Sequence, residues 1–187
     1  MKAAKFRETP LSTLSLVAGL SAYASGMIGA VSVIFFMLFV GAYVTTGRPA
    51  PWPIGRINDV TSMAMYFVAL PIPVALYCQL KGRAPGLNRA AMVLGIAGML
   101  TVVVLQYLLL AHILTFAQQG GPVTVAILVI GNWLLITGYL GQSSGILPRA
   151  MLFSALAVPY FGYPVWAFWL GRRLMAHKGL AKEAAGD

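Results

Sequence analysis

With 187 residues, 59% of them hydrophobic and 9% charged, the chain lacks the charged shell of roughly a quarter of its residues that a soluble globule shows to water. Its solvent is lipid. The formal charge of +9 does not mark a nucleic-acid binder, because the basic residues form short clusters at the ends of apolar runs; such clusters suit anionic lipid headgroups, and no nucleic acid is expected.

The charges also divide the chain. No acidic or basic residue occurs between Glu8 and Arg48, Asp59 and Lys81, Arg89 and Arg149, or Arg149 and Arg172. About 20 apolar residues cross a hydrocarbon core of roughly 30 Å, and the gap from Arg89 to Arg149 has room for two crossings. The expectation is an all-α integral membrane protein: one domain over 1–187, with five transmembrane helices at about 14–45, 58–80, 88–118, 122–141 and 147–171, and basic tails at 1–10 and 172–187.

The opening resembles a secretory signal, with Lys2, Lys5 and Arg7 before an apolar run and Ala22-Tyr23-Ala24 as an A-x-A site, but Met27 to Val44 stay apolar and cleavage would fall inside the membrane. One uncleaved helix follows, long enough to demand tilt or extension into the interface. Ala18, Ala22, Gly26 and Ala30 recur every four residues and form a small-residue packing face, for contact within the chain or between copies in a homo-oligomer. Thr45 to Arg56, with three prolines and two glycines, reads as a loop. Asp59 then reads as the cap of the second helix.

Pro71 and Pro73 bend that helix and free the carbonyls of Phe67 and Ala69, which in some transporters line a substrate site. Cys78, the sole cysteine, allows no intrachain disulfide or cysteine metal cluster and reads as a small apolar residue. Lys81, Arg83 and Arg89 flank a short loop. Gln118 to Pro122 reads as the turn of an antiparallel hairpin, in which Gln106 and Asn132 reach similar depth and can share a hydrogen bond. His112, nearer the turn, is an intramembrane histidine and so a candidate relay or ligand, against a structural role near a helix end.

Gly141-Gln142-Ser143-Ser144-Gly145 spells G-x-S-x-G, but a nucleophile elbow needs a preceding strand and a later acid and histidine, and this context is missing. Pro159 and Pro164 bend the fifth helix, freeing the carbonyls of Ala155 and Tyr160. Tyr160 to Trp169 supply an interfacial aromatic belt closed by Arg172 and Arg173. Five crossings put the chain ends on opposite sides and divide the basic residues seven to six, so charge favours neither orientation strongly. The tight loop of Lys81, Arg83 and Arg89 tilts the reading toward an N-terminus inside.

GILPR (Gly145 to Arg149), YPVWAFWLGRRL (Tyr163 to Leu174), GRINDV (Gly55 to Val60) and the LPIP of the second helix together resemble an uncharacterised group of bacterial multi-pass membrane proteins known only as a domain of unknown function. The resemblance runs from about Gly55 onward and implies a bacterial inner membrane, with no catalytic residue to carry over. No metal or cofactor is expected. The leading reading is a non-enzymatic structural or accessory bundle. A small transporter or lipophile-binding protein, with a cavity between helices 2 and 5 reaching His112, Gln106 and Asn132, is the alternative, and a haem protein or intramembrane enzyme a second.

Overall fold

A computed structural model describes residues 10–48, 52–82, 84–143 and 159–183, and the side chains of 13–48, 53–82, 84–143 and 162–175. The regular elements among them are all α-helices: α1 (Pro10–Thr46), α2 (Trp52–Ala69), α3 (Pro71–Gln79), α4 (Pro85–Leu110), α5 (Phe116–Ser143) and α6 (Pro159–Glu183). Four segments are long and apolar enough to cross a membrane: Thr13–Thr46, Pro53–Gln79, Pro85–Leu110 and Phe116–Ser143. The basic tail before Pro10, Ala155, and the first half of the expected 147–171 helix lie outside the described residues.

The exterior is apolar. Leu20, Met27, Val31, Ile34 and Leu38 of α1, Val93, Leu100 and Val104 of α4, and Val125 and Leu128 of α5 are all exposed, a surface suited to lipid chains. With lipid outside, burial of apolar area gives the helices little reason to associate, so close backbone approach has to supply dispersion energy. α1 provides it. Ala18, Ala22, Ser25, Gly26, Gly29 and Ser32 are buried along one face of this helix, which packs on both α6 and α2. A Cβ added to Gly26 would lie 3.2 Å from the Pro164 carbonyl oxygen, and one added to Gly29 2.7 Å from Met65 Sδ. The small-residue stripe is thus engaged within the chain through Ala18, Ala22 and Gly26, while Ala30 is half-buried.

Pairs along the helices fix their directions. Ser15 meets Gln79, Gly29 meets Met65 and Ser32 meets Ser62, so α2 and α3 run antiparallel to α1. Asn88 Nδ2 donates to the Tyr77 carbonyl at 2.9 Å, and Gly95 faces Pro73, so α4 returns alongside them. Gly95 also faces Trp133, Gly98 faces Ile130, and Gln106 meets Gln119, which makes α5 antiparallel to α4. Finally, Gly29 contacts Pro164 while Gly19 contacts Gly171, Leu174 and Met175. α6 therefore runs antiparallel to α1 and in the same direction as α5. It ends where α1 starts.

Several boundaries differ from the sequence expectation, each for a local reason. α2 begins at Trp52, not near Asn58, because Pro53 falls in the first turn, where a missing amide costs nothing. Asp59 accordingly sits two turns inside the helix and does not cap it. The continuous second helix is interrupted at Leu70, where the Leu70 amide donates to the Phe67 carbonyl at 3.3 Å and takes up the acceptor that Pro71 cannot reach.

The hairpin turn lies at 111–115, not at 118–122. Thr115 and Gln118 form a capping box that starts α5: the Thr115 amide donates to Gln118 Oε1 at 2.9 Å, and the Gln118 amide to Thr115 Oγ1 at 3.4 Å. Gly120, Gly121 and Pro122 are then carried inside the helix. In α6, Pro159 is the first described helical residue, and the helix continues past Leu170 to Glu183. Tyr163 and Trp166 are core residues, 0% and 2% exposed, and not part of an interfacial belt.

Candidate binding cleft

Two halves of the bundle differ in filling. Near the start of α1 and the middle, Trp133 packs edge-on against Trp166 with ring centroids 5.4 Å apart, and Tyr66 lies 5.9 Å from Tyr163. The Tyr163 hydroxyl and Ser25 Oγ share a hydrogen bond of 3.0 Å, and Ser25 also donates to the Ala22 carbonyl. The Trp166 indole N–H is buried with no hydrogen-bond partner among the described residues.

Toward the α4–α5 turn the helices separate around two adjoining chambers. The outer, about 630 Å³, is lined by Phe39, Tyr43, Arg56, Asp59, His112 and Phe116 among others. The inner, about 430 Å³, is lined by Asn58, Asp59, Ser62, Tyr66, Gln106 and Gln119, with Phe36, Val102 and Ile127 as apolar wall. Asp59 and Phe116 line both, so the chambers form one cleft between α1, α2, α4 and α5.

Several polar groups of the cleft are held by neighbours. Ser32 Oγ donates to Asn58 Oδ1 at 3.3 Å and lies 2.8 Å from Ser62 Oγ, tying α1 to α2. The Asp59 carboxylate lies beside the Asn58 side chain and in the field of the Arg56 guanidinium. Gln119 Nε2 donates to Gln106 Oε1 at 2.9 Å, both side chains being buried. Asp59 is the one carboxylate among the described side chains.

His112 is the most unusual residue here. The Ile113 amide donates to the Leu108 carbonyl and the His112 amide to Leu109, the pair of bonds that closes a helix through a residue in the left-handed region. That position normally belongs to glycine, yet His112 holds it at φ 60°, a conformation that costs an L-residue roughly 1–2 kcal/mol. In exchange, its Nε2 faces the Arg56 guanidinium. A guanidinium can only donate, so in a hydrogen bond between them Nε2 serves as the acceptor.

Of the residues singled out from sequence, His112, Gln106 and Asp59 come together in this cleft. Asn132 does not join them: it lies on the exposed stripe of α5 with Val125, Leu128 and Tyr139, and its amide donates to the Leu128 carbonyl at 2.9 Å. The expected Gln106–Asn132 hydrogen bond is absent because the two side chains leave their helices on different faces. The prolines also have a different place. Pro73 sits against Gly95 and Pro164 against Gly26 and Gly29, as close-packing elements, and neither they nor Pro71 line the two chambers, while the side chain of Pro159 lies outside the described residues. The cleft is accordingly bounded by α1, α2, α4 and α5, while the first half of the expected fifth helix lies outside the described residues.

Ser143, the middle serine of G-x-S-x-G, is still helical and donates to the Leu140 carbonyl, at the far end of α5 from His112. Arg56, Asn58 and Gln119 were hidden in segments read as loop, cap and turn, and Ser62 lay inside the expected second helix without being singled out. The Thr-Phe-Ala-Gln capping signature at Thr115 was the signal that could have moved Gln119 onto a helix. Comparison with protein-family models, curated proteins and solved structures finds no match.

Proposed function

We propose that this protein is a non-enzymatic membrane binding protein that draws a small amphiphile from the surrounding leaflet into the cleft between α1, α2, α4 and α5. One observation carries this reading: a cleft with a polar floor of Asn58, Asp59, Ser62, Gln106 and Gln119 adjoins an apolar wall whose Tyr43 and Phe116 are exposed on the lipid-facing surface. Such a gradient from apolar wall to convergent polar groups suits a molecule with one greasy and one polar end. A bundle with only a structural role has no need to keep these groups around an open volume.

Orientation follows from the direction of α6. Lys81 and Arg89, together with Arg172, Arg173, Lys178 and Lys182 of α6, belong to the end where α1 starts, against Arg48 and Arg56 at the other. The positive-inside rule then favours the α1-start end as cytoplasmic, and the cleft opens on the opposite face, periplasmic in a bacterial inner membrane. This reading has four crossings and a sixth helix that returns to the cytoplasmic side, in place of five successive crossings.

Two glycines allow the cleft to be filled without disturbing the helices. A Cβ on Gly120, which lines the inner chamber, meets nothing within 4 Å, and one on Gly55, in the outer chamber, meets only the Phe39 ring at 3.8 Å. Gly120→Leu and Gly55→Leu are expected to abolish co-purification of amphiphile with the protein in lipid nanodiscs, measured by native mass spectrometry. Gly121→Leu, equally unobstructed but outside both chambers, keeps it. Equal retention by all three would sink the proposal.

A further inference from the structure

The outer chamber holds one fixed cation, Arg56, and one fixed anion, Asp59, a single helical turn apart on α2 and both facing the same space. Residues three apart on a helix have Cβ atoms about 5–6 Å from each other, so the two charges form a short dipole at the cleft wall. His112 meets the Arg56 guanidinium through Nε2, as its acceptor. A simple anion drawn to Arg56 would be opposed by Asp59, and a simple cation drawn to Asp59 would be opposed by Arg56. A headgroup carrying both charges a few bonds apart meets neither penalty.

We infer that the occupant of the cleft is a zwitterionic amphiphile bearing a phosphate and a primary ammonium: the phosphate on Arg56, the ammonium on Asp59, and the chain along Phe39, Leu110 and Phe116. Arg56 suits phosphate because its planar guanidinium presents several donors in a fixed fork that matches phosphate geometry. Asp59 suits a primary ammonium because a carboxylate accepts N–H donors, which a quaternary ammonium lacks. The side chain of His112 contributes by fixing the guanidinium plane. That role explains why a histidine occupies a glycine position at φ 60°. The inference rests on the amphiphile-binding reading above and specifies the headgroup.

The test uses the full chain in nanodiscs of equal parts phosphatidylethanolamine and phosphatidylglycerol, reading the lipids retained after release by native mass spectrometry. Phosphatidylethanolamine is expected to be enriched at least fivefold over phosphatidylglycerol. Asp59→Asn is expected to reverse the preference, because the opposition to a net anion is removed while Arg56 stays. Arg56→Gln is expected to lose it. Free phosphoethanolamine supplies a second arm: competition with the retained lipid supports the same headgroup chemistry in a soluble ligand, and absence of competition beside lipid enrichment assigns it to the membrane.

Retention of both lipids in the bulk ratio, or a preference for phosphatidylglycerol in the unaltered protein, overturns the inference and leaves amphiphile binding standing. Loss of all retained amphiphile removes both. If Asp59→Asn fails to fold, the ratio retained by the unaltered protein and by Arg56→Gln still decides.

Discussion

The half of the bundle near the start of α1 and the half near the α4–α5 turn share α1, α2, α4 and α5, yet one excludes space and the other keeps it. In the first, glycine, alanine and proline bring backbones together and Trp133, Trp166, Tyr163 and Tyr66 fill what remains. In the second, carboxamides, hydroxyls, one carboxylate and one guanidinium surround two chambers. The difference shows how a membrane protein separates its tasks. Dispersion in a tightly packed half supplies the stability that a polar, open half consumes. Mutations should therefore divide along this boundary, with stability lost on one side and binding on the other.

The largest stability effect is expected at the α1–α6 crossing. A Cβ on Gly171 would lie 2.9 Å from the Gly19 carbonyl oxygen and 2.7 Å from the Tyr23 ring. Backbone cannot yield cheaply, so Gly171→Leu should force the helices apart and cost about 3 kcal/mol in unfolding measurements. An effect below about 0.5 kcal/mol, on the scale of an unremarkable surface change, would show that this half is not the rigid one.

A middle-sized effect is expected where the halves meet in character, at the Gln106–Gln119 hydrogen bond. Both side chains are buried, and interhelical hydrogen bonds in membranes average about 0.6 kcal/mol, with a maximum near 1.7. Gln106→Leu also leaves Gln119 with an unmet amide, so a loss of about 1 kcal/mol is expected, and the double variant Gln106→Leu/Gln119→Leu should recover part of it. Additive losses would mean that the two amides do not depend on each other.

Much of this architecture was legible in the chain because charge is forbidden in lipid: the gaps from Glu8 to Arg48, Asp59 to Lys81 and Arg89 to Arg149 mark the four segments that, among the described residues, are long and apolar enough to cross a membrane. Helix ends were less legible. Pro53, and the Gly120-Gly121-Pro122 run, look like breakers, but a first-turn proline needs no amide partner, and the Thr115–Gln118 box had already begun α5 upstream. Misplacing that turn moved Gln119 off the helix and left Gln106 to be matched with Asn132 by depth alone. Depth says nothing about facing. The cleft was legible only in its separate members, since Arg56, Asp59 and His112 meet through a tertiary contact between α2 and the end of α4.

A smaller effect of opposite sign is expected at His112. Glycine in its place removes the penalty of a left-handed L-residue, roughly 1–2 kcal/mol, while adding about 0.5–1 kcal/mol of unfolded-chain entropy to be lost on folding. His112→Gly should therefore stabilise the protein by about 0.5 kcal/mol, and lower retention of amphiphile as the guanidinium of Arg56 loses its support. A variant that loses stability and keeps its ligand would show the histidine to be structural.

The smallest effect is expected at Asn132. Its amide already donates to the Leu128 carbonyl of its own helix, on the stripe that Val125, Leu128 and Tyr139 expose to lipid. Asn132→Leu removes a polar group from an apolar exterior and breaks no tertiary contact, so stability should move by less than about 0.5 kcal/mol and the retained amphiphile should not change. Set beside Gln106→Leu, this is the sharpest check on which way α5 faces. A loss matching that of Gln106→Leu would put Asn132 inside the bundle, reopen its pairing with Gln106, and draw the boundary between the two halves in a different place.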